Sequence, residues 1–181
     1  MESPSQDFYD RLKPWLFSQI AKELRFAYRI LDLGCGDCKL VRWLTETYGK
    51  NTIGVDTSDL EFPPDRNKVS CIRADAKSLD FIREATMDAV VSFWSLHEMD
   101  SPLAVLQEAK RVLRPLGEIL IIEFPRGSLA QRLWNEAYYS IGELANMLRK
   151  TGFWRPEVKL IVHHQLTWAK AFKISQPKGV R

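Results

Sequence analysis

Cysteine is scarce in this chain: three among 181 residues, an odd number and too few to build a fold on disulfides. That argues against a small secreted scaffold and for a reducing compartment, so a cytoplasmic location is expected. No run of about 18 apolar residues occurs, so no membrane span is expected. The opening "MESPSQDFYDRLKPW" mixes charges and lacks the apolar centre of a signal peptide. Internal repeats and low-complexity blocks are missing too. Cys35 and Cys38 form a C-x-x-C, but no second pair or spaced histidine pair completes four zinc ligands, so no metal is expected. His163 and His164 would face opposite sides of a strand and cannot share an ion there, which leaves them a surface or turn role. Small buried fillers at a tight turn account best for Cys35 and Cys38, and Cys71 falls within a strand pattern.

What is present is ordinary for a globular domain: 45% hydrophobic and 27% charged residues. The length suits one domain, expected over residues 1–174, with a disordered tail at 175–181. Net charge is only +3, but its distribution is uneven. Residues 1–125 carry a net −4 and residues 126–181 a net +7. Such a basic segment is either a solvated face or a surface for an anionic partner, RNA included.

The hydrophobic pattern alternates between two periods. "PWLFSQIAKEL" places Leu16, Ile20 and Leu24 at helical spacing, with Pro14 suited to a first turn. "YRILDL" reads as a buried strand. "KLVRWLTETYG" reads as a helix through Leu40, Leu44 and Tyr48, closed by Gly49. "NTIGVD" and "KVSCIRAD" are strands, "AKSLDFIREA" a short helix, and "MDAVVSF" a fourth strand. Ser101-Pro102 opens a helix with a stripe of Leu103, Leu106, Ala109 and Leu113. "GEILIIEF" follows as a strand. Ser140 and Glu143 then form a capping box on a helix ending near Gly152. Runs near 153–162 and 165–173 form an antiparallel strand pair. Strands alternating with helices predict an α/β doubly wound sheet of seven strands, Rossmann-like and mostly parallel, with helices on both faces.

In such sheets ligands bind beyond the carboxyl ends of the strands, at the switch point. Four strand ends qualify: Asp32 to Cys38, Asp56, Ala74 to Ala76, and Ser92 to Asp100. Gly34 and Gly36 let a backbone approach a ligand closely. An acid some 20 residues later, Asp56, is placed to accept ribose hydroxyls. This spacing also fits a dinucleotide-binding dehydrogenase, but the sixth position of G-x-G-x-x-G is Lys39. Asp32 would moreover repel a diphosphate. It suits a ligand carrying an ammonium and a sulfonium.

The motifs "ILDLGCGDCKL", "IGVD", "RADA" and "DAVVSFWSLHEMDSPLAVLQEAKRVLRPLGEILIIEF" resemble the successive motifs of class I S-adenosylmethionine-dependent methyltransferases. The similarity spans about residues 8–173 and is greatest to the group that includes ubiquinone and menaquinone methyltransferases. The usual third glycine is replaced by Cys38, and Leu116 replaces the first glycine of the frequent "RPGG". "GCGDCKL" with a basic C-terminal part is also similar to the nucleolar rRNA-processing adenine methyltransferases.

The resemblance implies S-adenosyl-L-methionine as cofactor and S-adenosyl-L-homocysteine as product. Asp32, Gly34, Cys35 and Gly36 would hold the methionine part, and Asp56 and Thr57 the ribose. Asp75 and Ala76 would face adenine, with Ser92 and Phe93 beside the sulfonium. His97 would be a base or substrate orienter at the pocket mouth; Glu98 and Glu123 are further candidates of that kind. Tyr9, Trp94, His97 and Tyr139 would line the substrate pocket, in a region where Trp134 and Tyr138 also fall. Either these aromatics pack a core and lid, or they stack on a planar acceptor. A small-molecule acceptor is expected first and RNA adenine second. A non-catalytic cofactor-binding subunit is the reading from another class.

Overall fold

The computed structural model describes residues 6–58 and 69–174. The chain begins with α1 (Gln6–Glu23), then β1 (Arg29–Leu33), α2 (Lys39–Tyr48), β2 (Asn51–Asp56), β3 (Ser70–Arg73) and β4 (Met87–Phe93). It continues through α3 (Pro102–Val112), β5 (Leu113–Glu123), α4 (Leu129–Trp134), α5 (Ile141–Lys150), β6 (Trp154–Ile161) and β7 (Leu166–Phe172). The seven strands form one sheet in the order β3-β2-β1-β4-β5-β7-β6. β1 to β5 run parallel, and β7 joins antiparallel to both β5 and β6. This is the expected doubly wound architecture. The chain winds outward from β1 to β3, then returns to β1's other side as β4, so the switch point lies between β1 and β4.

Side-chain alternation along the strands divides the interior into two layers. Leu31, Leu33, Val90, Ile119 and Ile121 face a core shared with α3 and α5. Ile30, Ala89, Val91, Leu120 and Ile122 face the other core, filled by Leu16 and Ile20 of α1, by Leu24 just after it, and by Leu40 and Leu44 of α2. Each fully buried leucine contributes about 1.5–3 kcal/mol of transfer free energy. The capping box on α5 is present: Ser140 Oγ accepts the Glu143 N–H, and the Glu143 carboxylate accepts the Ser140 N–H. His163 and His164 sit in the turn joining β6 and β7.

Several local expectations are corrected. Pro14 lies inside α1, not in its first turn, because the helix starts eight residues earlier at Gln6. No helix forms over 76–85. Glu108 of α3 instead accepts the Leu79 N–H, and Arg111 donates to the Leu79 and Ile82 carbonyls. These side-chain partners satisfy the backbone in an irregular path while Leu79 and Ile82 enter the core. The inward residues of α3 are Val105, Leu106, Ala109 and Val112, with Leu103 exposed and Leu113 already the first residue of β5. Tyr48 is likewise exposed, its ring against Trp43.

The cysteines are not separate fillers. Cys38, at the N-cap of α2, is disulfide-bonded to Cys71 in β3, with the free Cys35 sulfur 3.8 Å from that of Cys38. The link joins the exit of the glycine loop to the strand that leads to Asp75. Gly54 makes room for the cluster: a Cβ there would stand 2.7 Å from the Cys35 sulfur. The expected tail, 175–181, lies outside the described residues.

Candidate active site

Three adjoining cavities open at the carboxyl ends of the strands, where a topological switch point puts them. The first, about 160 Å³, is lined by Asp56 and Thr57 at the end of β2 and by Asp75 and Ala76 after β3. The second, about 290 Å³, is bounded by Asp32 near the end of β1, by Gly34, Cys35 and Gly36 after it, and by Phe93 at the end of β4. The third, about 280 Å³, lies under α1 and α4 and contains Tyr9, Trp94 and His97. Gly34 and Asp56 are common to the first two cavities, Trp94 and Lys13 to the last two, and Glu98 to all three.

The two glycines do different work. Both have left-handed backbones, φ +69° at Gly34 and +49° at Gly36. A Cβ on Gly34 would stand 2.4 Å from the Ser95 Cβ, so this glycine is required by the protein's own packing. A Cβ on Gly36 would meet nothing within 4 Å, so its bare backbone faces open space. The Gly36 N–H donates to Asp56 Oδ2 at 2.8 Å, and the Ser58 N–H to Asp56 Oδ1 at 2.9 Å. Asp56 therefore fastens the loop as well as facing the cavity. Burial alone would raise its pKa; hydrogen bonds from Ser58, Gly36 and Thr57 outweigh that and hold it below its ordinary value.

Asp32 contrasts with Asp56. Its carboxylate is buried, and Oδ1 has no hydrogen-bond partner in the protein. Burial, and then the charge on Asp56, raise its pKa to about 8. An orphaned carboxylate oxygen on the wall of a cavity is a vacant acceptor, and leaving it so is costly. The ammonium of a methionine moiety would satisfy it, while Asp56 retains lone pairs for ribose hydroxyls. These residues fit S-adenosylmethionine.

Ser92 is buried and does not reach the cavity. Its hydroxyl contacts Ser95 Oγ at 2.8 Å, and Ser95 Oγ donates to the Leu33 carbonyl at 2.7 Å. Ser95 is the hydroxyl that lines the first two cavities, and nothing in the strand pattern distinguished it. Asp75 Oδ1 accepts the Lys77 N–H, and its other oxygen pairs with Lys77 Nζ at 3.3 Å.

Trp94 is the wall between the second and third cavities. Its φ of 56° is a true outlier for a bulky residue, a conformation that costs of order 1–3 kcal/mol and needs support. Support comes from its N–H bond to the Ile122 carbonyl, at 2.8 Å, and from Phe93, stacked at 4.4 Å. Its indole Nε1 is buried without a partner. Tyr9 is held by the Ala130 N–H, which donates to its hydroxyl at 3.0 Å. Tyr138 lines the cavity where Tyr139 was expected; Tyr139 instead packs toward the core of α3 and α5.

His97 sits in a one-turn 3-10 segment, Leu96–Glu98, after β4. Its Nδ1 is 2.8 Å from Glu123 Oε2, and its own N–H donates to Glu123 Oε1 at 3.2 Å. Its Nε2 points into the third cavity, 3.3 Å from Glu136 and 3.9 Å from Glu98. Burial would lower its pKa, but Glu123, Glu98 and Glu136 together hold it above the ordinary histidine value. A buried carboxylate fixing one imidazole nitrogen while the other meets a cavity is the geometry of an oriented base. Glu136 had given no sequence signal, since it lies in an irregular segment without periodicity.

A doubly wound sheet with an acid-and-glycine cradle at its switch point is the setting of the S-adenosylmethionine-dependent methyltransferases. Residues 31–121 match the model of the family described as "Methyltransferase domain", and the chain belongs to that family. It is similar to methyltransferase GfsG of Streptomyces halstedii, with 29% identity over 136 residues, covering 70% of this chain and 48% of that protein. It is also similar to the 27-O-demethylrifamycin SV methyltransferase of Amycolatopsis mediterranei (strain S699), with 33% identity over 118 residues, covering 58% of this chain and 43% of that protein. The chain thus spans about half the length of these relatives. Among solved structures it superposes on the [4+2]-cyclase SpnF with a TM-score of 0.78 and 17% identity, covering 89% of this chain and 80% of that one. That likeness concerns the fold alone. Among the described residues, no helix is long and apolar enough to cross a membrane.

Proposed function

We propose that this chain transfers a methyl group from S-adenosylmethionine to a small-molecule acceptor by in-line displacement. The observation that carries the reading is the junction at Trp94. A cradle fitting the cofactor adjoins, through the shared walls of Trp94, Lys13 and Glu98, an aromatic cavity into which a carboxylate-held histidine points. When bound, S-adenosylmethionine supplies a methyl group on a sulfonium, an electrophile that needs little activation. The protein's contribution is then proximity and alignment. Asp32 receives the ammonium, the Gly36 backbone admits the methionine part closely, Asp56 and Thr57 take the ribose, and Asp75 and Ala76 face adenine. Phe93 and Trp94 flank the transfer point. His97, held by Glu123, accepts a proton from the acceptor at Nε2.

The charge on residues 126–181 gives less support to RNA than its sum suggests. Arg126 pairs with Glu143 at 2.7 Å, and Lys170 lies between Glu23 and Glu118. Lys173 Nζ is taken by the carbonyls of Arg111 and Leu113. The relative named for 27-O-demethylrifamycin SV supports a small acceptor as well. The test is a labelled-methyl transfer assay against separate small-metabolite, RNA and protein fractions. Label in small molecules, lost in His97→Ala, is the expected result. Label in RNA that vanishes with nuclease would overturn the choice of acceptor. Cofactor binding with no transfer to any fraction would favour a non-catalytic subunit.

A further inference from the structure

The third cavity has an unusual combination of walls. Five aromatic rings surround it in one linked cluster: Tyr9, Trp94, Phe124, Trp134 and Tyr138. Tyr9 lies 5.0 Å from Phe124 and 6.0 Å from Trp94, and Phe124 lies 5.2 Å from Trp134 and 5.3 Å from Tyr138, centroid to centroid. Ring faces present negative potential, so such a chamber attracts a cation that has shed its water. The protein already shows this at its rim, where Lys13 Nζ rests 5.4 Å from the centroid of the Trp94 ring.

The ionisable groups point the same way. Lys13 is neutralised by Asp10 at 2.7 Å, and His97 by Glu123. Glu98 and Glu136 stand 3.9 and 3.3 Å from the one imidazole nitrogen His97 Nε2, Glu136 also accepts the Tyr138 hydroxyl at 2.7 Å, and among the described residues no lysine or arginine pairs with either. Two carboxylates over an aromatic wall leave the cavity short of positive charge. A phosphate- or carboxylate-bearing acceptor would meet repulsion there. An aliphatic alcohol would gain nothing from the charges and would ask for a much stronger base than an imidazole.

We infer that the third cavity recognises a protonated amine with an apolar or aromatic body, and that this amine is the methyl acceptor, an assignment that rests on the proposed transferase reading. The ammonium enters between Glu98 and Glu136 and gives one proton to His97 Nε2, which frees the nitrogen lone pair. That pair forms the new N–C bond to the methyl carbon. The C–S bond breaks, its electrons return to sulfur as the neutral thioether, and the proton passes from His97 to water. The product is a secondary ammonium, with one proton released per turnover. Glu98, touching all three cavities, is placed to hold the cation against the cofactor side.

The experiment compares 2-phenylethylamine with its uncharged counterpart 2-phenylethanol, and benzyltrimethylammonium with neopentylbenzene. Each is titrated at pH 7 with and without S-adenosylhomocysteine, and S-adenosylhomocysteine is titrated alone. Wild type is expected to bind the cations at least tenfold more tightly than the neutral partners. Glu136→Gln, a change at a half-exposed position, is expected to cut that preference to threefold or less, and Trp134→Leu to weaken the cations with S-adenosylhomocysteine affinity unchanged. Equal binding of cation and neutral partner, or no binding of either cation, would overturn the inference. Failure of S-adenosylhomocysteine alone to bind would instead count against the cofactor reading, since the cation preference is also read without it.

Discussion

The two halves of the proposed site are built by different means. Beyond β1, β2 and β3, the cradle is made by backbone and short acids: the open face of Gly36, the loop-fastening Asp56, and the unpartnered Asp32. Under α1 and α4, the cavity is made by large side chains brought from positions as far apart as Tyr9 and Tyr138. A backbone cradle offers fixed geometry and tolerates little change in its ligand. A chamber of rings and carboxylates can be reshaped by single substitutions without disturbing the sheet. On the proposed reading, the cofactor half is fixed by backbone geometry and the acceptor half is set by side chains.

Glu123→Gln keeps the volume of a buried side chain but removes the charge that holds the His97 ring. Turnover is expected to fall by about 10²–10⁴, the usual worth of a positioned base, with S-adenosylhomocysteine affinity unchanged. The pH profile carries a second signature. A base works when neutral, so wild-type rate should rise with pH through a pKa held above the ordinary histidine value, and the variant's limb should move to lower pH. An unmoved limb would remove Glu123 from the mechanism.

Asp56→Ala acts on the other half. It removes acceptors for ribose hydroxyls and for the Gly36 N–H, each charged bond contributing about 1.5–3 kcal/mol. Calorimetry should show S-adenosylhomocysteine binding weakened by roughly a hundredfold, while cation binding in the third cavity persists. Retained affinity would mean that the ribose is held elsewhere.

Asp32 makes the cradle pH-dependent. With a pKa of about 8, it is neutral at lower pH and meets an ammonium less well. Affinity for S-adenosylhomocysteine should rise toward pH 8, by up to about tenfold per unit, and flatten in Asp32→Asn. Stability should move the opposite way. The folded pKa is raised, so the Asp32 contribution is fully present below the unfolded value near 4 and is lost as pH rises to about 8. A flat affinity profile in wild type would show that Asp32 does not meet the ammonium.

The smallest effect lies away from both halves. Leu116 is 71% exposed and holds φ at 64°, where glycine is at ease. Relief of that conformation, less the entropy glycine adds to the unfolded chain, should stabilise Leu116→Gly by about 1 kcal/mol in thermal unfolding.

The contrast between the halves also explains what the sequence revealed. The cradle is encoded locally, in a strand, two glycines and an acid some 20 residues on, so the place of Asp32, Gly34, Gly36, Asp56 and Asp75 around the strand-end cavities was legible with the doubly wound fold. The partners that complete the acceptor side were not. Glu136 and Phe124 gain meaning only when α4 folds over α1, and Tyr138 could not be told from Tyr139 without a strand or helix period between them. Ser95 was hidden because a serine beside Ser92 looks equivalent until packing against Gly34 selects it. The missing helix at 76–85 shows the same competition: α3 side chains supplied hydrogen bonds that local propensity would have made internally. Cys38 and Cys71, separated by 33 residues, became neighbours only through the pairing of β2 with β3.

The claim that the bare backbone at Gly36 exists for the cofactor has one direct measurement. Isothermal titration of S-adenosylhomocysteine into wild type and Gly36→Val, with circular dichroism melting of both, compares binding with folding in the same pair of proteins. Wild type should bind one equivalent. The variant should remain folded, its melting lowered only by the roughly 1–2 kcal/mol of a left-handed valine, and should lose at least tenfold in affinity. A wild type that binds nothing, or a folded variant that binds as tightly as wild type, would contradict the account.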